Sequence, residues 1–521
     1  MSQPPQPPEP PQPPERGPDA QPLSRFSHSN SRPKRSWRSR LPHWERRTVL
    51  VAGSALAALL LVGSGVYALG GDGDGKGART EAGDAKKPAA SQTPGGKPAA
   101  TPLPTDVNAG LAAGEAKAWY AKNELDLPKG NTLLGDLWFV DDLVVQTLYN
   151  EVTAYKVADG SKAWSIPLPA PICDTPVNPT PDGKVVVAYR EDPAKELSNC
   201  NHLQMIDLKK GAGTWRKKLT SQNEFDSTVI VHLAITGDTV AVGRNMSTDA
   251  YRVSDGAPLF KLGKDTSGGC YPNDVAGGAK LLVLDWCLGK TQFGQIKEID
   301  PKSGKIKWRY RLQDRKSKKI MPWKIGKVYS VNPLVVSVYE SADQFNWSVI
   351  TLKPNGKRLP GLNAGTFKFE PCAGDGDSGR GSQNCAGGVA GKDTFYLSTK
   401  APSAESLGPT RIVAFDLKSG KVKWASQPEG KREYLPVAAE GASVIAYVKA
   451  TLEEPGRLVR IGPKGGKAVT VLQFGKAAQP IEYEAMAGLT AYSGGRFFVT
   501  DSLLSGDDES EQARLLSYGG K

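Results

Sequence analysis

One hairpin is written repeatedly through this 521-residue chain, and its repetition constrains the fold more than any other feature. VTAYKVADGSKAWSIPL at 152–168, IKEIDPKSGKIKWRYRL at 296–312 and RIVAFDLKSGKVKWASQ at 411–427 each read as an alternating apolar strand, a polar turn ending in glycine, and a second strand. Alternation of period two on both sides of a Gly-terminated turn is the pattern of a β-hairpin. Gly160, Gly211, Gly256, Gly304 and Gly420 close the turns, and weaker copies end at Gly356 and Gly466. Successive glycines lie 51, 45, 48, 52, 64 and 46 residues apart. Four residues after the five strong glycines stand Trp164, Trp215, Phe260, Trp308 and Trp424. A further alternating pair precedes each hairpin, as in Lys184–Tyr189 and Thr394–Leu397. Four strands per period of this length make one blade of a β-propeller.

Seven units are visible, and the ends supply an eighth. Trp119 lies 45 residues before Trp164, one repeat back, with no inner strands upstream of it. The strands it lacks are expected at the other terminus, in Arg496–Thr500 and Arg514–Tyr518. Joining the termini in one blade closes the ring and removes both open edges. The fold class expected is therefore all-β, an eight-bladed propeller over 111–521.

The unit A-x-D-x-x-[ST]-G-x-x-x-W appears in full from Ala414 to Trp424, in part from Asp300 to Trp308, and loosely from Ala154 to Trp164. It resembles the repeat of the pyrroloquinoline quinone (PQQ) binding-like β-propeller family, over residues 115–521. The resemblance implies that Trp119, Trp164, Trp215, Phe260, Trp308 and Trp424 dock each blade against the next. Dehydrogenases of this kind hold the quinone and a calcium ion on the propeller axis and often carry a disulfide between adjacent cysteines. This chain has no adjacent cysteines and no carboxylate set that matches their ligands, so no cofactor, metal or catalytic residue carries over. The resemblance then implies a binding or scaffold module with a protein partner in the cell envelope. A receptor-like sensor ectodomain is the alternative.

Ahead of the repeats, residues 48–70 read TVLVAGSALAALLLVGSGVYALG without a charge, long enough to cross a bilayer as one helix. Residues 1–47 carry a net charge of +5 and 71–110 are neutral, which places the N-terminus in the cytoplasm and the repeats outside. The protein is thus expected to be held in the cell membrane by one helix. Ten of the first 22 residues are proline, and 71–110 is a Gly/Ala/Pro/Lys stretch, so both flanks are expected to be disordered, one a tail and one a spacer. The remaining net charge of +8 is spread over 111–521, too dilute for a nucleic-acid footprint.

All six cysteines lie beyond the apolar run, an even number on the oxidising side. Six cysteines allow 15 connectivities; the local pairs Cys173–Cys200, Cys270–Cys287 and Cys372–Cys385 close the smallest loops. The spacings do not suit zinc, and His202 and His232 each stand alone in sequence. The longest interval contains FEPCAGDGDSGRGSQNCAGG, expected as a disulfide-pinned surface loop on one face of the ring.

Overall fold

In the computed structural model the described residues run from Pro102 to Gly520, apart from 196, 222–225, 266–268, 289–290, 313–321, 341–342, 371, 373–380, 384, 402–408, 486–487 and 508–510. The expected tail (1–47) and membrane helix (48–70), and most of the spacer, lie outside them. Among the described residues no helix is long and apolar enough to cross a membrane.

The strands form eight antiparallel blades. Blade 1 consists of Asn131–Val140, Leu143–Leu148, Glu151–Lys156 and Lys162–Pro167. Blades 2 to 7 open at Ile172, Val231, Cys270, Trp323, Gly388 and Tyr434. Blade 8 takes Thr490–Ser493, Arg496–Val499 and Ala513–Gly519 from the end of the chain, and its outer strand, Glu115–Lys122, from the beginning. Trp119 pairs with Ser517 and Tyr120 with Leu516, so the expected closure between termini is the one observed. Tyr518 stacks on Phe474 of blade 7, and both Tyr518 and Tyr447 donate their hydroxyls to the buried Glu482, whose carboxyl is pushed by burial up to about 7.

Three features depart from the sequence reading. Residues ahead of the expected start at 111 already pack on the propeller: Leu103 and Val107 are buried against blades 7 and 8, and Asn108 exchanges hydrogen bonds with the backbone of Ala118 (2.8 and 2.9 Å). A short helix, Gln479–Glu484, interrupts the strands between blades 7 and 8 and buries Ile481 and Glu482. The glycine beneath Trp424 is Gly465 rather than Gly466, whose Cβ position is open.

Blade 5 has three strands, Trp323–Val331, Leu334–Glu340 and Asp343–Leu352. Its fourth is reduced to an irregular turn in which the Leu359 and Leu362 amides bond the carbonyls of Thr351 and Val349. The weak repeat around Gly356, which lacks the aromatic, is the sequence trace of this loss.

The two faces of the ring differ. On one, first strands pass to second and third to fourth through tight turns, such as Val140 to Leu143 and Lys156 to Lys162. On the other lie the links between second and third strands, which run from two residues (Leu148 to Glu151) to twelve (Tyr189 to His202), and the entries to each first strand. All three disulfides, Cys173–Cys200, Cys270–Cys287 and Cys372–Cys385, sit on this second face, and no cysteine is free. These are the three local pairs that close the smallest loops.

Candidate functional site

First strands line the propeller axis, and several carry a β-bulge, with register shifts between Leu134 and Leu137, Ile172 and Asp174, and Pro272 and Asp274. A bulge adds one residue to a strand and re-aims the side chains beside it. Here the side chains concerned include Asp136, Asp174 and Asp274. Together with His232 from the first strand of blade 3, they line an axial well of about 560 Å³ that opens on the long-loop face.

The polar groups of the well hold one another. Asp174 Oδ1 lies 3.8 Å from His232 Nδ1, an ion-pair distance rather than a hydrogen bond, while its Oδ2 accepts the Leu233 amide at 2.6 Å. Asp274 accepts from the Val275 amide at 2.6 Å and from the Ser382 amide at 2.7 Å, and it also accepts from the Ser382 hydroxyl. Asp136 accepts from Thr175 Oγ1 at 2.9 Å. Burial alone would pull the His232 imidazole down, but the charges of Asp274 and Asp174 outweigh it and raise the group to about 9. Burial raises the Asp174 carboxyl. At neutral pH His232 is therefore an imidazolium set between two carboxyl groups.

Ser382 belongs to the insertion leading into blade 6, and its described residues 381–383 line the well against blades 3 to 5. Gln383 brackets the backbone of Gly277 in blade 4 with two hydrogen bonds (2.7 and 3.2 Å), and Lys327 of blade 5 donates to the Gly381 carbonyl at 3.2 Å. The latch is close: a Cβ at Gly381 would lie 3.0 Å from His232 Nδ1 and 3.4 Å from Asp274 Oδ1.

A quinone with its calcium ion would need open carboxylate and amide ligands on this axis. Asp174 and Asp274 are instead committed to the ring and the latch, and among the described residues no group of three or more His, Cys, Asp or Glu is placed to hold a metal ion. The residues present do not fit that pair.

The repeat aromatics lie away from the well. Rings of Trp119, Trp164, Trp215, Phe260, Trp308 and Trp424 cover Gly160, Gly211, Gly256, Gly304, Gly356 and Gly465 of the following blade, within 2.4 to 3.0 Å of where a Cβ would stand. Trp119, Trp215 and Trp424 also donate their indole N–H to the backbone carbonyls of Val157, Val253 and Pro463. Gly420, which follows the three-stranded blade, has no such ring; the Gly361 carbonyl takes its place. Of the cysteines, Cys173 lines the well.

Sequence reading missed the well entirely. Its residues are single polar side chains on the first strands of consecutive blades, each about a repeat apart. The available signal was a polar residue recurring in the strand that precedes each apolar pair.

Residues 112–262, blades 1 to 3 with the closing strand, match the family described as outer membrane protein assembly factor BamB, of the PQQ-like type. No curated protein sequence matches the chain. Among solved structures, BamB from Moraxella catarrhalis is similar at 14% identity and a TM-score of 0.43, covering 78% of this chain and 99% of that one. The quinohemoprotein alcohol dehydrogenase ADHIIG from Pseudomonas putida HK5 is similar at 13% identity and a TM-score of 0.43, covering 81% and 78%. The corresponding enzyme from Comamonas testosteroni follows at 15% and 0.40, covering 78% and 77%. The repeat and the ring make this chain a β-propeller protein, and residues 112–262 of it are similar to a PQQ-like family.

Proposed function

We propose that the chain is a non-enzymatic, protein-binding scaffold of the cell envelope, held in the membrane by residues 48–70 with its propeller outside. The observation that carries this reading is the distribution of exposed apolar side chains. Of the nine large apolar side chains exposed among the described residues, six (Leu133, Leu197, Ile230, Leu288, Leu452 and Leu503, 39 to 72% exposed) lie on links or strand entries of the long-loop face, and Ile306, Val422 and Val469 lie on outer strands. Large apolar residues gathered on one face and surrounded by polar rim mark a protein-binding surface. The printed role of the matched family, assembly of outer membrane proteins, is likewise one exercised on other proteins. Asp174 and Asp274 of the well are used to join blades 2 and 3 and to hold the latch.

The test is photo-crosslinking of the full chain in native membranes from positions 195 and 453, exposed neighbours of Leu197 and Leu452. Discrete adducts that are lost in the Leu197→Glu, Leu452→Glu double variant are expected, since a charge placed in the core of an interface costs several kcal/mol. A tag at Met1 should stay protected from protease added to intact cells while one at Lys521 is digested. A mature chain beginning near Leu69 in the medium overturns the anchor, and adducts unchanged in the double variant overturn the face.

A further inference from the structure

The links of the tight-turn face divide the ring by charge. Those of blades 1 to 3 hold six aspartates and two lysines, and those of blades 4 to 7 hold nine lysines and two aspartates. In the first sector the charges answer one another: Lys209 lies 3.1 Å from Asp141, Lys184 2.6 Å from Asp182 and Arg252 2.7 Å from Asp255. With Lys156 and Lys162 at the adjoining strand ends, that sector is close to neutral. In the second sector the lysines stand in excess. Lys302 and Lys305 of blade 4, Lys353 and Lys357 of blade 5, and Lys418 and Lys421 of blade 6 are all exposed, and among the described residues none of them is in an ion pair. The strand ends do not remove the excess, since Glu298 and Glu440 are already met by Lys307 and Arg460.

Apolar side chains stand among these lysines. Ile306 and Val422 open the outer strands of blades 4 and 6 in the runs KIK (305–307) and KVK (421–423), and they are 40% and 37% exposed. Because all these turns lie on one face, their side chains can meet one flat surface together. Lysine beside aliphatic suits the interface of an anionic bilayer, which takes up both, whereas a free polyanion rewards charge alone. A bilayer is also within reach of this face. When residues 48–70 span it, the 31 residues of 71–101 separate it from Pro102, on the order of 30 Å for a flexible chain.

We propose that the tight-turn face of blades 4 to 7 rests on the anionic lipid surface of the membrane, with Ile306 and Val422 at headgroup level. The proposal rests on the anchored reading above and deepens it, because a ring seated on this face turns its long-loop face away from the lipid and toward a protein partner. Each lysine brought within a Debye length of ~10 Å strengthens the contact about fivefold, so several together hold what one alone does not.

The experiment reconstitutes the full chain in nanodiscs, one set with about a third anionic phospholipid and one wholly zwitterionic, and reads the acylation rate of each lysine by mass spectrometry. Lys353, Lys357, Lys418 and Lys421 are expected to slow about fivefold or more in the anionic discs and to recover in high salt, while Lys195 on the long-loop face is unchanged. Replacing those four (Lys353→Gln, Lys357→Gln, Lys418→Gln, Lys421→Gln) should free Lys302 and Lys305 as well and leave the thermal melt where it was, since all are exposed. Ile306→Ser with Val422→Ser should return part of the protection in discs and leave binding of inorganic polyphosphate as it was. Several outcomes overturn the proposal: equal labelling in both discs, protection indifferent to salt or to the glutamine variant, or polyphosphate protecting as well as the discs with the serine variant changing neither. Protection confined to native membranes overturns it in favour of an acidic protein, and protection that grows with the number of chains per disc overturns it in favour of a second copy. A chain that does not enter the discs overturns the anchor alone; the same lysines are then read with anionic vesicles added, where protection upholds the face and its absence overturns it.

Discussion

The two faces of this ring are built by different means. On the tight-turn face the same few atoms recur: a glycine with positive φ, and for most blades an aromatic ring from the preceding blade pressed onto it. On the other face the links vary from two residues to a dozen, and order comes from three disulfides, bulged strands and a loop latched to Asp274. Repetition makes a face that stacks, since each contact serves only its neighbour. Irregularity makes a face that can recognise something, and it requires its own fastenings.

The largest effect should come from a change that spares neither face. Deleting Gln512–Lys521 removes the third strand of blade 8 with the buried Leu515, Leu516 and Tyr518. At ~1.5–3 kcal/mol per buried side chain, and with hydrogen bonds lost on both sides, this approaches the ~5–15 kcal/mol margin of a whole domain. The truncated protein should aggregate or melt without cooperativity in calorimetry, whereas truncation through Thr101 should leave the melt as it was.

A smaller effect isolates the tight-turn face. Gly304 has φ of +69° and a Cβ there would come within 2.6 Å of the Phe260 ring. Gly304→Val should cost about 3–4 kcal/mol in chemical denaturation, from the strained backbone and the clash together. Its exchange protection should fall first in blades 3 and 4, leaving the latch intact.

The smallest effect belongs to the long-loop face and depends on pH. His232 is raised in the folded chain from 6.5 to about 9, so its contribution is complete below about pH 6.5 and is lost as the pH rises through 9. The shift corresponds to at most about 3 kcal/mol. Denaturation midpoints should fall over that window, and His232→Gln should flatten the slope; a slope unchanged in the variant would assign it to other groups.

Legibility followed the same division between faces. Glycine and tryptophan at fixed spacing are local and repeated, so the blades, the closure between termini and the aromatic positions could all be read from the chain. Asp174, His232 and Asp274 become neighbours only because the ring curves, and nothing near them in sequence marks their meeting. The latch was not legible for a related reason: the loop composition gives no hint that Ser382 meets Asp274 of blade 4. Leu103 and Val107 are two apolar residues in a proline- and alanine-rich stretch, too sparse to reveal that the stretch is ordered. Helix Gln479–Glu484 is a single turn and a half, shorter than any periodicity test resolves.

Closure by a strand from each end also imposes an order of events in time. Glu115–Lys122 is among the first strands to emerge during synthesis, yet its partner Ala513–Gly519 is among the last, so it must wait for nearly the whole chain. Contacts of such long range are slow to form, and at ~5–20 residues per second synthesis itself supplies a delay of tens of seconds or more. Through that interval blades 1 to 7 can stack as an open arc, with the apolar faces meant for blade 8 uncovered at both ends. The nascent arc is thus the species most in need of a chaperone, and the completed ring the least.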